Sequence, residues 1–270
     1  ENVCGALYAP TGGIVGPFEY TIALVENGVE NGGEVKLNSE VASITKEEVF
    51  TIKLTNNEEI KTKYIINAAG VYADKVHNMV CEESFKIIPI RGEYYVLDKD
   101  EGKNFTNTIF QCPSKVGKGV LVAPTVHGNL IVGPNAQELD EKDSLKTTSE
   151  ALDFIRTTAI KTTNKVNFRN AIRNFAGLRA DADKGDFIIE ENDKVKGFID
   201  ASGIKSPGLT AAPAIAVDIV EILKNSGLTL VENENFNPYR KQMRFMELSM
   251  DEKKEIIESK KSYGRIICRC

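Results

Sequence analysis

Tyr64-Ile65-Ile66-Asn67-Ala68-Ala69-Gly70 is the stretch from which the architecture can be read. Its apolar residues do not alternate with polar ones, which is the pattern of a strand buried on both faces, as in a parallel sheet. The run ends in Ala-Ala-Gly, where nothing larger than a methyl group keeps a ligand from the backbone. Such strand ends are where α/β sheets bind nucleotides. Taken alone, the same ending also suits a strand that only needs a tight turn.

A second stretch of this kind lies far downstream. GFIDASG (197–203) reads as another short buried strand, followed by the loop Ile204-Lys205-Ser206-Pro207-Gly208-Leu209-Thr210. AAPAIAVDIVEILKNSG (211–227) is then a helix with Pro213 in its first turn and a glycine stop. Free N–H groups at a helix start favour an anion or an electron-rich ring atom. Plain N-capping by Ser206 or Thr210 is the simpler alternative. Lys205 is not needed for capping.

The residues between and before these stretches alternate differently. FKIIPIRGEYYVLD (85–98), GVLVAPT (119–125), NLIVGPN (129–135), RNAIRNFAGLRA (169–180) and DFIIE (186–190) predict an antiparallel sheet, interrupted by a helix over about 147–161. Upstream, 18–31 carries Ile22, Val25 and Val29 at helical spacing before the stop Gly32-Gly33. EVKLN (34–38), EVASITKE (40–47) and VFTIKLT (49–55) predict strands, with a turn at Asn56-Asn57. MDEKKEIIESKK (250–261) predicts a charged surface helix. The fold class is therefore α/β plus α+β, with two interleaved domains, one visited twice by the chain.

Composition removes several function classes. The 270 residues carry 34 basic and 39 acidic side chains, a net charge of −5, so no electrostatic footprint for nucleic acid exists. No apolar run approaches the ~18–20 residues of a membrane-spanning helix, which leaves peripheral membrane contact open. The five cysteines, Cys4, Cys81, Cys112, Cys268 and Cys270, are odd in number and scattered, which favours a reducing cytoplasmic setting over a disulfide framework. A first residue other than Met and the closing Cys-Arg-Cys predict a piece of a longer protein.

Several side chains are candidates for chemistry. In Phe175-Ala176-Gly177-Leu178-Arg179-Ala180 an arginine closes a strand, and arginine holds carboxylate or phosphate bidentately. Arg91-Gly92-Glu93-Tyr94 is a similar strand-borne candidate; for either arginine taken alone, a surface salt bridge is the plainer reading. His77 reads as a bland residue on a helix flank and His127 as a hairpin-turn residue. Cys268 and Cys270 supply only two of the four thiolates that an iron–sulfur cluster needs.

Taken together, these sites resemble the D-amino-acid-oxidase-like FAD-dependent oxidoreductases, and within them the glycerol-3-phosphate dehydrogenase branch that carries a C-terminal [2Fe–2S]-binding module. The resemblance runs through Gly5–Gly16, the Val41 strand, Ile65–Asp74, Ile88–Val96, Val120–Asn135, Gly177–Arg179, Gly203–Pro213 and Ile267–Cys270. Arg91-Gly92, Gly133-Pro134-Asn135 and Ser206-Pro207-Gly208 also resemble L-2-hydroxyglutarate oxidases. The family's opening GxGxxG is missing, and Gly12-Gly13 and Gly32-Gly33 do not supply it, so the expectation is that the 270-residue chain by itself lacks tightly bound FAD.

The resemblance implies a substrate-binding domain at 1–16 and 84–190 with a mixed or antiparallel sheet. It implies part of a Rossmann-like FAD domain at 17–83 and 191–228, and a tail at 229–270 leading to an iron–sulfur module. Val41 would meet the adenine, and Ala69 and Gly70 the pyrophosphate side. Gly203, Pro207, Gly208, Leu209 and Thr210 would pass the flavin ring, with the helix from about Ala211 aimed at its N1/O2 edge. Arg179, Lys205 and Tyr94 would face the substrate. Cys268 and Cys270 would be half of a [2Fe–2S] ligand set. The implied reaction is oxidation of sn-glycerol 3-phosphate to dihydroxyacetone phosphate, with hydride passing from C2 to flavin N5 and electrons leaving to a quinone or iron–sulfur acceptor. The implied setting is cytoplasmic, or peripheral to the inner face of the membrane. A 2-hydroxy-acid or amino-acid oxidoreductase of the same superfamily is the alternative enzyme, and a cofactor-free domain kept for folding or partner binding is the non-enzyme one.

Overall fold

A computed structural model describes residues 4–112, 119–240 and 243–265. The chain divides into two units, residues 1–20 with 36–232, and residues 21–35 with 233–270. The first helix, Pro17–Glu30 (α1), follows the predicted spacing.

Val41–Lys46 (β1), Phe50–Leu54 (β2) and Glu59–Thr62 (β3) form an antiparallel meander in the larger unit. Asn57 sits at φ 68° in the turn between β2 and β3, a conformation Asn tolerates better than most side chains. The strand expected at 34–38 does not form. Asn38, at φ 54°, instead turns the chain ahead of β1.

Ile65–Asn67 (β4) leads through a 3₁₀ turn at Gly70–Tyr72 into the short helix Ala73–His77 (α2). Ile87–Leu97 (β5), Lys99–Gly102 (α3), Leu121–Pro124 (β6), Leu130–Gly133 (β7), Gln137–Glu138 (β8), Ser149–Thr162 (α4) and Ala171–Ala182 (β9) follow. These five strands form an antiparallel sheet around β5: β9 pairs along almost the whole length of β5, while β7 and β8 pair with shorter parts of it. In this sheet β8 was not predicted, and the predicted 186–190 segment is absent from it, because that segment pairs in another sheet. Thr148 caps α4 by accepting from the Ala151 amide. That helix inserts Ile155 and Ala159 among Leu97, Val122, Leu130 and Val132, all fully buried or nearly so. Each such aliphatic side chain contributes about 1.5–3 kcal/mol by leaving water.

Ile188–Glu191 (β10), Phe198–Ser202 (β11) and Gly208–Asn225 (α5) complete the unit. β11 runs parallel to β4, with Phe198 opposite Ile65, and β10 runs antiparallel to β11. Ile215, Ile219 and Leu223, four residues apart along α5, pack on Ile199 and Ala201. β4 is less enclosed than its sequence predicts: Ile66 is 45% exposed, because none of the described residues covers that face.

The smaller unit holds the rest of α1 and the helix Met250–Ser259 (α6). Asn31 and Asn237 exchange hydrogen bonds, the Asn237 amide donating to Asn31 Oδ1 at 2.7 Å. Ser249 and Glu252 form a capping box at the start of α6, as suits an exposed charged helix.

Candidate functional site

Alternation along β5 sends Arg91 and Glu93 to one face and Gly92 and Tyr94 to the other. β9 lies beside it with Gly177 opposite Gly92 and Phe175 opposite Tyr94. The Tyr94 and Phe175 rings stack at 5.0 Å with 6° between their planes. Arg179 Nη2 donates to Tyr94 Oη at 3.4 Å.

Arg179 opens on a cleft of about 460 Å³ lined by Gly70 and Val71, by residues 178–180 of β9 and by residues 204–210, which run from the loop into the first turn of α5. The cleft thus joins Arg179, Lys205, Gly70, Pro207, Gly208, Leu209 and Thr210, seven of the positions singled out in the sequence. Ala69 is partly buried next to Gly70, and its carbonyl accepts from the Tyr72 amide at 3.0 Å. Gly203 lies beneath the loop at φ 65°, where a Cβ would stand 2.7 Å from that of Ala182. Gly70, at φ 57°, is the other left-handed glycine of the site. Val41 is not brought to this cleft; it sits in β1, opposite Leu54.

Three expectations change. The helix after β11 begins at Gly208, not near Ala211, so Pro213 lies inside it. The Gly208 amide donates to Lys205 O, and the Thr210 and Ala211 amides to Pro207 O, so three of the first-turn donors are engaged. Neither Ser206 nor Thr210 caps the helix by its side chain. Next, Arg91 is no surface residue: it is 3% exposed, its Nε lies 3.2 Å from Glu93 Oε1, and its other nitrogens donate to Ser144 and Gln137. Finally, His77 is fully buried, with Nδ1 2.7 Å from Asp200 Oδ2 and Nε2 near the Glu82 carbonyl and the Ser84 hydroxyl. His127 does stand in the turn between β6 and β7, exposed, 2.8 Å from Glu19.

Lys205 donates to Asp181 Oδ1 at 2.5 Å, a partner the sequence reading missed. The signal was present: Arg179 and Asp181 are two apart on one strand and share a face. Among the described residues Arg179 has no carboxylate partner. Asp74, at the start of α2, anchors the segment behind the cleft. Burial alone would raise its pKa, but the Lys142 ammonium and the amides of Ile87 and Lys75 outweigh burial and hold it below the ordinary 3.8. Cys268 and Cys270 lie outside the described residues. Among the described residues no group of three or more His, Cys, Asp or Glu could hold a metal.

Residues 1–222 match the family model of the FAD dependent oxidoreductases. The whole chain is 53% identical, over 271 residues, to a glycerol 3-phosphate dehydrogenase of Caloramator mitchellensis, covering 56% of that protein. It is 34% identical over 243 residues to a glycerol 3-phosphate oxidase of Mycoplasma genitalium, covering 88% of this chain and 62% of that one. Among solved structures, an FAD-bound, dithionite-reduced L-α-glycerophosphate oxidase from Mycoplasma pneumoniae superposes with a TM-score of 0.74 and 31% identity, over 79% of this chain and 56% of the other. The chain therefore spans little more than half the length of the relatives it matches.

Proposed function

This chain belongs to the FAD-dependent oxidoreductase family, and on that premise we propose that its protein oxidises sn-glycerol 3-phosphate to dihydroxyacetone phosphate. One observation carries the reading. Arg179, without a carboxylate partner among the described residues, opens on the same cleft as the glycine-bearing loop 204–210. A fixed guanidinium suits a phosphate monoester, which it can hold by two parallel charge-assisted hydrogen bonds.

The residues present fit one side of FAD. Gly70 and Gly203 hold backbone conformations that other side chains rarely adopt, and Gly208 leaves no room for a Cβ beside Ile204. Of these, Gly70 and Gly208 line the cleft, on the wall that ends at the start of α5. Gly70 with Ala69, and the loop from Gly203 to Thr210, would hold the group there, while Val41 would meet its adenine end. When bound, FAD takes up the hydride lost from the substrate carbon. Arg179 would orient the phosphate with Lys205 at its edge, and Tyr94 would hold the guanidinium in place. Two electrons and two protons leave the carbinol in all, and the electrons would exit to a quinone or an iron–sulfur acceptor. Contact with the inner face of a membrane would be peripheral: among the described residues no helix is long and apolar enough to cross one.

The pairing of Lys205 with Asp181 favours a second reading, a 2-hydroxy acid as substrate. Among the described residues lining the cleft it leaves a single uncompensated cation, Arg179, which is enough for a carboxylate. Turnover of the FAD-loaded enzyme with sn-glycerol 3-phosphate, glycerol and L-2-hydroxyglutarate, using an artificial electron acceptor, separates the two. A strong preference for the phosphate ester is the expected result, and preference for the hydroxy acid would reject it.

A further inference from the structure

Gly92 and Gly177 face each other across the β5–β9 ladder, yet their surroundings differ. A Cβ built on Gly177 meets nothing within 4 Å. A Cβ built on Gly92 would stand 2.8 Å from Arg179 Nη2, 3.2 Å from its Cζ and 3.0 Å from Pro134 Cβ. Neither glycine has a positive φ, so alanine is conformationally permitted at both, and only the collision distinguishes them.

The Arg179 guanidinium therefore lies against the bare backbone of Gly92. Pro134 closes in from the neighbouring segment, and Tyr94 Oη touches the guanidinium two residues further along the same strand. Tyr94 is itself held close by a glycine. A Cβ at Gly133, whose φ is 145°, would stand 2.8 Å from Tyr94 Cδ1 and 2.6 Å from the Glu93 carbonyl.

We infer that Gly92 is a positioning residue: it sets the depth at which Arg179 presents its two donors to the anionic end of the substrate. A methyl group there would push the guanidinium toward the cleft and off Tyr94. Bidentate recognition tolerates such a shift poorly, because both hydrogen bonds depend on one plane. The inference rests on the reading of this cleft as the anion-binding side of the substrate site.

A double-mutant cycle on the FAD-loaded enzyme tests it, using Gly92→Ala, Arg179→Ala and the pair, with KM, kcat and thermal midpoint measured for sn-glycerol 3-phosphate. Gly177→Ala serves as the stability control for replacing a ladder glycine. Gly92→Ala is expected to raise KM by about tenfold or more, with a smaller change in kcat, and to have almost no further effect once Arg179 is alanine. An equal fold-change in both backgrounds overturns the inference. So does an unchanged KM for Gly92→Ala while Arg179→Ala raises it. If Arg179→Ala itself leaves KM unchanged, the reading of the cleft falls, and the inference with it. Should Gly92→Ala fail to fold, the double variant is expected to fold, because the guanidinium it strikes is gone; failure of both would place the restriction at Pro134 or in the backbone, not at Arg179, and overturn the inference.

Discussion

Lys205 and Asp181 meet at 2.5 Å where the loop after β11 passes β9, so of the two cations that line the cleft among the described residues one has its charge already balanced. Arg179 is thus the better placed to receive an anion. Arg179→Ala is expected to cost about 1.5–3 kcal/mol of binding, on the order of tenfold to a hundredfold in kcat/KM, at an unchanged melting temperature. Lys205→Met should cost less, and should depress turnover of glycerol 3-phosphate more than that of unphosphorylated glycerol. Steady-state kinetics on both substrates check this ordering; equal, small effects of both variants would remove these residues from anion recognition.

Asp200 is 2% exposed and accepts from His77, from Asn67 at 2.8 Å and from Ser202 at 3.3 Å. Those bonds tie α2 and β4 to β11. Removing one member of a buried hydrogen-bonded network leaves the others unpaired, typically at about 1–3 kcal/mol for each unsatisfied group. Asp200→Ala is therefore expected to lower the unfolding free energy by about that much in urea titrations, far more than a surface Asp→Ala change.

Asp74 predicts a pH dependence. Its carboxyl titrates below 3.8 in the folded protein, so the folded state favours the ionised form. The sign follows: its stabilisation is complete above 3.8 and is lost as pH falls through the lowered native value. Asp74→Asn should cost about 1–3 kcal/mol at neutral pH, and the gap to wild type should close at pH below 3.8. Unfolding curves across that range would show a constant gap if Asp74 were not the linked group.

Cys81 is buried beside Asp200, and burial first, then that carboxylate, pushes its thiol up to about 11. The thiolate is the reactive form, so Cys81 should resist alkylation in the native state. Iodoacetamide labelling followed by peptide mapping is expected to modify exposed Cys112 well before Cys81, with the difference vanishing in denaturant.

The parts of the fold set by local chemistry were legible. Tyr64–Gly70 and Gly197–Gly203 carry their strands in an unbroken apolar pattern, although only the second is enclosed on both faces, and the alternation of 85–98 and 169–180 announced an antiparallel sheet. The loop after Gly203 was recognisable because glycine frees the backbone to turn and proline fixes it, although it ends at Pro207, where α5 takes over. What escaped depends on partners distant in sequence. Arg91 looked like a surface arginine because its burial requires Glu93, Gln137 and Ser144 to converge on it. His77 looked bland because Asp200, which holds it, is 123 residues away. The start of α5 was placed three residues late, since Pro213 suits a first turn, yet Pro207 precedes the helix and Gly208 opens it.

The two faces of β5 carry incompatible chemistry only one residue apart. Arg91 and Glu93 form a buried ion pair on one side, while Gly92 and Tyr94 serve the cleft on the other. A side-chain repeat of two means that inserting or deleting a single residue upstream in this strand would exchange the sides. The guanidinium and carboxylate would then be driven into the cleft, and the glycine into the space that holds the ion pair. The strand can therefore change length in its history only in pairs of residues, or at its ends, and the desolvated charges act as a parity check on its alignment with β9.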